Sequence, residues 1–128
     1  MRILLTNGHS LYQEGLRLLL ENLDTPVSVV ESGDFGEAGR LLAKDNNFDL
    51  AIIEMDLVRN ANLHSLADLV QIAPTVPFVA LSTDADASAV QRVLDVGMVG
   101  VIDKRERAPV ILHALRTVLA GGIYTPPH

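Results

Sequence analysis

The sequence predicts an α/β domain built on an open parallel sheet, and three observations carry that prediction. Short apolar runs alternate five times with segments of helical period, the pattern of βαβ units. Most of those runs are nearly continuous in apolar residues, as strands covered on both faces are. With 128 residues, 48% hydrophobic and 20% charged, the chain suits one domain with a real core and leaves little room for two.

The elements follow in order. The predicted strands are Ile3 to Thr6, Val27 to Glu31, Leu50 to Glu54, Phe78 to Ser82 and Val99 to Asp103. Ser10 followed three residues later by Gln13 has the form of a capping box and opens a first helix, whose apolar face is read as Leu11, Gly15, Leu18 and Leu19. Asp34 and Glu37 repeat the arrangement before a second helix with Ala38, Leu41 and Leu42 inward. A third helix follows Asn62, with Leu63, Leu66, Ala67 and Val70 at the spacing that lines one face. The fourth places Ala89, Val90, Val93 and Leu94 inward and stops near Gly97. The fifth starts at Pro109, whose missing N–H has no helical partner in a first turn, and Gly121-Gly122 ends it. Pro126-Pro127 then reads as the beginning of a linker, so the expected organisation is a domain over 1–120 and linker over 121–128.

Composition excludes several functions. Without cysteine the chain has neither a disulfide framework nor a thiolate metal site, which fits a reducing cytoplasm. The first apolar run turns polar too early for a signal peptide, and no later run is long enough for a bilayer, so no membrane partner is expected. A formal charge of −6 opposes a nucleic-acid surface; the one basic cluster, Lys104-Arg105-Glu106-Arg107, is short, carries its own acid and reads as a solvated loop. His9, His64, His113 and His128 show no metal-ligand spacing.

In an open parallel sheet, ligands and chemistry sit at the carboxyl ends of the strands. Those ends carry Asn7, Gly8, Glu54, Asp56, Ser82 and Lys104. A carboxylate, a hydroxyl and an ammonium from three different strands would converge there. Asn7-Gly8 alone is no nucleotide fingerprint, since neither further glycines nor a lysine follow.

The runs Ile3-Leu4-Leu5-Thr6-Asn7-Gly8-His9-Ser10, Glu14-Gly15-Leu16-Arg17, Asp49-Leu50-Ala51-Ile52-Ile53-Glu54, Val79-Ala80-Leu81-Ser82 and Gly97-Met98-Val99-Gly100-Val101-Ile102-Asp103-Lys104 together resemble the CheY-like receiver domains of response regulators, and more narrowly their NarL/FixJ branch. The resemblance spans essentially the whole chain. It implies a flavodoxin-like, doubly wound sheet of order 2-1-3-4-5 with five helices on its two faces. It also implies two-component signalling by phosphorelay and a helix-turn-helix output domain beyond this chain, through which alone DNA would be met.

The departures from the family pattern bear on function. Asn7 and Gly8 stand where the resemblance implies two acidic metal ligands, and Glu54 stands at the phosphoacceptor aspartate. Val58 replaces the usual proline, and Val101 the aromatic residue that rotates on activation; Ser82 and Lys104 keep the expected types. With the first carboxylates gone, binding of Mg²⁺, a hard cation that needs oxygen ligands, is expected to be weak or absent, and phosphoryl transfer slow. Glutamate exceeds aspartate by one methylene, so Glu54 is expected to reach toward Ser82 and Lys104 as a partial phosphomimic and to hold a constitutive state.

The function expected is that of a non-enzymatic, phosphorylation-independent receiver that regulates transcription by protein contact. One alternative retains phosphorylation by a histidine kinase at Glu54 or Asp56; another is a small flavodoxin-like ligand-binding protein or enzyme. Glu54 and Lys104 also admit a plain reading, as an ion pair with no regulatory meaning. The fifth helix carries more apolar positions than one stripe needs, with Leu112 and Leu119 at its margin; these suit a homodimer or partner contact, or ordinary packing under the linker.

Overall fold

Successive side chains of a strand point to opposite faces, so five apolar strands side by side need cover on both sides. The computed structural model provides it. The elements are β1 (Arg2–Thr6), α1 (Ser10–Leu20), β2 (Ser28–Ser32), α2 (Phe35–Lys44), β3 (Leu50–Glu54), α3 (Leu63–Ile72), β4 (Phe78–Ser82), α4 (Ala87–Asp95), β5 (Gly100–Asp103) and α5 (Ala108–Leu119). The structure describes residues 1–6, 10–23, 25–54, 63–83 and 86–126, without the side chains of Ser10, Leu11, Gln13, Leu63 and His64. All strand pairs are parallel, in the order β2-β1-β3-β4-β5. That is the doubly wound topology expected from the sequence.

Two apolar layers result, divided by strand parity. Leu4, Ala51, Ile53, Phe78, Ala80 and Val101 face α2, α3 and α4. Ile3, Leu5, Leu50, Ile52, Val79, Leu81 and Ile102 face α1 and α5. Helix starts are fixed by side-chain caps where the layers need them. Asp34 accepts a hydrogen bond from the Glu37 amide at 2.7 Å, and Asp86 accepts one from the Ala89 amide at 2.7 Å. Gly97 takes φ of 102° at the end of α4, where a side chain would be strained.

The phase of α1 differs from the expectation. Leu16 and Leu20 are buried, with Tyr12 and Leu19 packed beside them, while Gly15 is exposed and Leu18 is 63% exposed. Consecutive leucines at 18–20 allow more than one helical face, and packing against the sheet and α5 selects among them; the Arg116 guanidinium reaches the Asn22 carbonyl at 3.1 Å. In α3, Leu66 lies inward as expected, but Leu69 and the following Ala73 are buried more deeply than Ala67 and Val70. β2 sits one residue later than read, because the Ser32 hydroxyl is buried and donates to Thr6 Oγ1 at 2.9 Å.

The outer edge of β5 is covered by the chain's own continuation. Beyond α5, Gly121 turns with φ of 94°, and Tyr124 forms a parallel bridge to Gly100. The Tyr124 amide donates to the Val99 carbonyl at 3.1 Å, and the Val101 amide donates to the Tyr124 carbonyl at 3.0 Å. A capped edge strand offers fewer free backbone groups to other chains. Close approach explains Gly100: a Cβ there would lie 3.3 Å from both Val79 Cγ2 and Val118 Cγ2.

Candidate functional site: an ion pair at the carboxyl edge of the sheet

Parallel strands deliver their last residues to one edge, where Thr6, Ser32, Glu54, Ser82 and Asp103-Lys104 assemble. The register brings β3 and β5 to either side of β4, with Glu54 opposite Leu81 and Ser82 opposite Asp103. The Lys104 amide donates to the Ser82 carbonyl at 3.0 Å, which fixes where the lysine leaves the sheet. From there its ammonium reaches back over β4 and pairs with Glu54 Oε1.

The pair is mostly withdrawn from solvent, with side-chain exposures of 12% for Glu54 and 21% for Lys104. At that burial the carboxylate and ammonium need each other, because an unpaired charge would lose most of its hydration. Burial pulls the Lys104 ammonium below its usual pKa. Ser82 is fully buried at the end of β4, and no buried side-chain nitrogen or oxygen among the described residues lacks a partner.

The neighbouring charge is settled separately. Asp103 accepts hydrogen bonds from the Arg105 side chain at 2.9 and 3.1 Å and from the Arg105 amide at 2.8 Å. The guanidinium bonds hold the Asp103 carboxyl below its usual pKa. Lys104 thus pairs with Glu54 and Arg105 with Asp103, which offsets much of the positive charge in the one basic cluster of the sequence.

Tyr12, which sequence reasoning did not single out, completes the surroundings. Lys104 Nζ lies 4.4 Å from the centroid of its ring. Burial raises the pKa of its hydroxyl, and the Asp103 charge adds to that. The signal available in the sequence was its spacing of four from Leu16, which places an aromatic ring on the inward stripe close to the sheet edge.

Other residues singled out from sequence fall elsewhere. Val101 is fully buried in the layer under α4, away from the α1 side of the sheet. Leu112 and Leu119 are half-buried against the opposite layer. Asn7, Gly8, His9, Asp56 and Val58 lie outside the described residues. A shallow recess, open to solvent and with room for no more than about one water, is lined by Leu5, Thr6, Leu16, Ile52, Glu54 and Leu81. Among the described residues no group of three or more histidine or carboxylate side chains is placed to hold a metal, and no helix is long and apolar enough to cross a membrane.

Comparison with known proteins agrees with this fold. The chain is 27% identical over 126 residues to a glycerol metabolism activator of Pseudomonas putida, covering 98% of this chain and 57% of that protein. It is 28% identical over 127 residues to the transcriptional regulatory protein DegU of Brevibacillus brevis, covering 99% of this chain and 53% of that protein. The chain therefore spans a little over half the length of these relatives. Its fold matches that of a LuxR family DNA-binding response regulator from Silicibacter pomeroyi with a TM-score of 0.86, at 23% identity and covering 100% of this chain and 98% of the other. The family model of the response regulator receiver domain matches residues 3–116, and the chain belongs to that family.

Proposed function

We propose that this chain is an atypical receiver which signals by protein contact without being phosphorylated, as the regulatory part of a cytoplasmic transcription regulator. The observation that carries the reading is the Glu54–Lys104 pair. In a receiver of the usual pattern the lysine meets a phosphoryl oxygen carried on an aspartate. Here the longer glutamate delivers its own carboxylate oxygen to Lys104, so the contact that phosphorylation would create is already made.

The donor set points the same way. Asn7 and Gly8 carry no carboxylate, and the Glu54 carboxylate is engaged by an ammonium, so the residues do not suit Mg²⁺, which demands several oxygen ligands in octahedral array. Without the metal a phosphoryl group in transfer lacks its main charge stabilisation. No cofactor is required, and a histidine kinase is not the input on this reading. On this reading DNA would be contacted only through a further domain; of the similar proteins, DegU of Brevibacillus brevis is named a transcriptional regulatory protein and that of Silicibacter pomeroyi a DNA-binding response regulator. A second copy or another protein is the contact partner, and Leu112 and Leu119 on α5 are the residues to test for it.

The experiment is intact-mass measurement after incubation with Mg²⁺ and a small-molecule phosphodonor, with an ordinary receiver as control. No added phosphoryl group while the control gains one supports the reading. A stoichiometric gain, mapped to Glu54 or Asp56, would overturn it in favour of a working phosphoacceptor.

A further inference from the structure

Lys104 has a long side chain with much rotamer freedom to lose, and it leaves the sheet at an edge where solvent is within reach. A single carboxylate does not restrict such a chain to one direction, and Asp103 next to it in sequence is a competing acceptor. The structure removes the competitor, since Arg105 takes Asp103 through two side-chain hydrogen bonds. It also places a wall against the lysine. Tyr12 stands two residues into α1, on the stripe that continues through Leu16, Leu19 and Leu20 into the apolar layer, so its ring is anchored by packing. The ring meets Lys104 Nζ at 4.4 Å from its centroid while the same nitrogen pairs with Glu54. An ammonium held between a carboxylate and an aromatic face keeps favourable electrostatics on two sides while giving up water.

We infer that Tyr12 is a positioning residue: its ring holds Lys104 toward Glu54 and joins α1 to the pair formed by β3 and β5. This rests on the Glu54–Lys104 pair being the functional element, and it adds the group that keeps the pair closed. The ring is what acts, because the contact runs from Nζ to the aromatic face. Phenylalanine therefore replaces Tyr12, and an aliphatic residue of similar size does not. The hydroxyl stays protonated at neutral pH, in keeping with its burial and with the charge of Asp103, and adds no anion to the site.

The test uses the whole chain and its variants Tyr12→Phe, Tyr12→Leu, Tyr12→Met and Glu54→Gln, each confirmed folded by its NMR spectrum. Two quantities are read: the proton shifts of the Lys104 ε-methylene, which a ring face moves upfield, and the rate at which an amine-acylating reagent modifies Lys104. The expected result is an upfield shift in the parent and in Tyr12→Phe, with its loss in Tyr12→Leu and Tyr12→Met. Acylation is expected to rise by about three- to fivefold in the two aliphatic variants, the factor that loss of a partly exposed cation–π contact corresponds to. Absence of the shift in the parent protein overturns the inference, whatever the variants do. So does an acylation rate in Tyr12→Phe as high as in Tyr12→Leu. Glu54→Gln separates the two claims: if it leaves Lys104 reactivity unchanged, the ion pair fails, and if it raises reactivity while the Tyr12 variants do not, only the role of Tyr12 fails.

Discussion

Replacing Glu54 by glutamine keeps the side chain's shape and removes the charge that Lys104 faces. Breaking a fully buried ion pair by removing one partner costs about 3–5 kcal/mol, whereas an exposed pair contributes roughly 0–1 kcal/mol. Glu54 and Lys104 are 12% and 21% exposed, so solvent relieves part of the penalty, and about 1–2 kcal/mol of destabilisation is expected. For 128 residues with an unfolding entropy of about 2.1 cal/mol/K per residue, that lowers Tm by about 4–7 °C. Lys104→Met is expected to cost a similar amount by removing the ammonium that faces the carboxylate. The double variant Glu54→Gln/Lys104→Met leaves neither charge behind, so it should cost less than the sum, with a coupling of about 1 kcal/mol. Thermal unfolding followed by circular dichroism, with urea titration as a check, measures all three. If both single variants melt within a degree of the parent and their effects add, the two groups are solvated independently and the pair is not a structural unit.

Three further outcomes follow from the packing and the charges. Gly100→Ala drives a Cβ to 3.3 Å from Val79 Cγ2 and Val118 Cγ2, and should cost about 1–3 kcal/mol while hydrogen exchange at the Tyr124 amide accelerates as the β5 edge opens. Leu20→Ala, at a fully buried position, should cost about 2–5 kcal/mol in urea unfolding, whereas Leu18→Ala on the same helix should stay within about 0.5 kcal/mol. Asp103 has a folded-state pKa below its ordinary 3.8, so its stabilising contribution is complete above that value and is lost as pH falls through the lower folded value. Asp103→Asn should therefore flatten the acid limb of a stability-against-pH curve and leave the slope near neutrality unchanged.

The fold was legible because its signals are local and repeated. Continuous apolar strands such as Leu50 to Ile53 announce two-sided burial, and Asp34 with Glu37 announces a helix start whose hydrogen bond is present. The meeting of Glu54 and Lys104 was legible too, since parallel strands bring their carboxyl ends to one edge whatever the helices do. The phase of α1 was not, because Leu18, Leu19 and Leu20 support more than one face and only the packing against the sheet and α5 chooses among them. Tyr12 escaped for a related reason: an aromatic residue on a helix reads as core until its position over the sheet edge is known. The cover on β5 also lacks a sequence pattern, since one bridge at Tyr124 has no periodicity and the flanking Gly121-Gly122 and Pro126-Pro127 read as punctuation.

The central claim is that this pocket makes by side-chain length the contact that other receivers make by phosphorylation, and one comparison tests it most directly. The parent chain and the variant Asn7→Asp/Gly8→Asp/Glu54→Asp, which restores the acidic residues of the family pattern, are treated side by side with Mg²⁺ and a small-molecule phosphodonor, and their intact masses are read promptly. The account predicts no phosphoryl group on the parent chain and a stoichiometric gain on the variant, carried by the aspartate that replaces Glu54. A parent chain that gains the phosphoryl group as readily as the variant would contradict it.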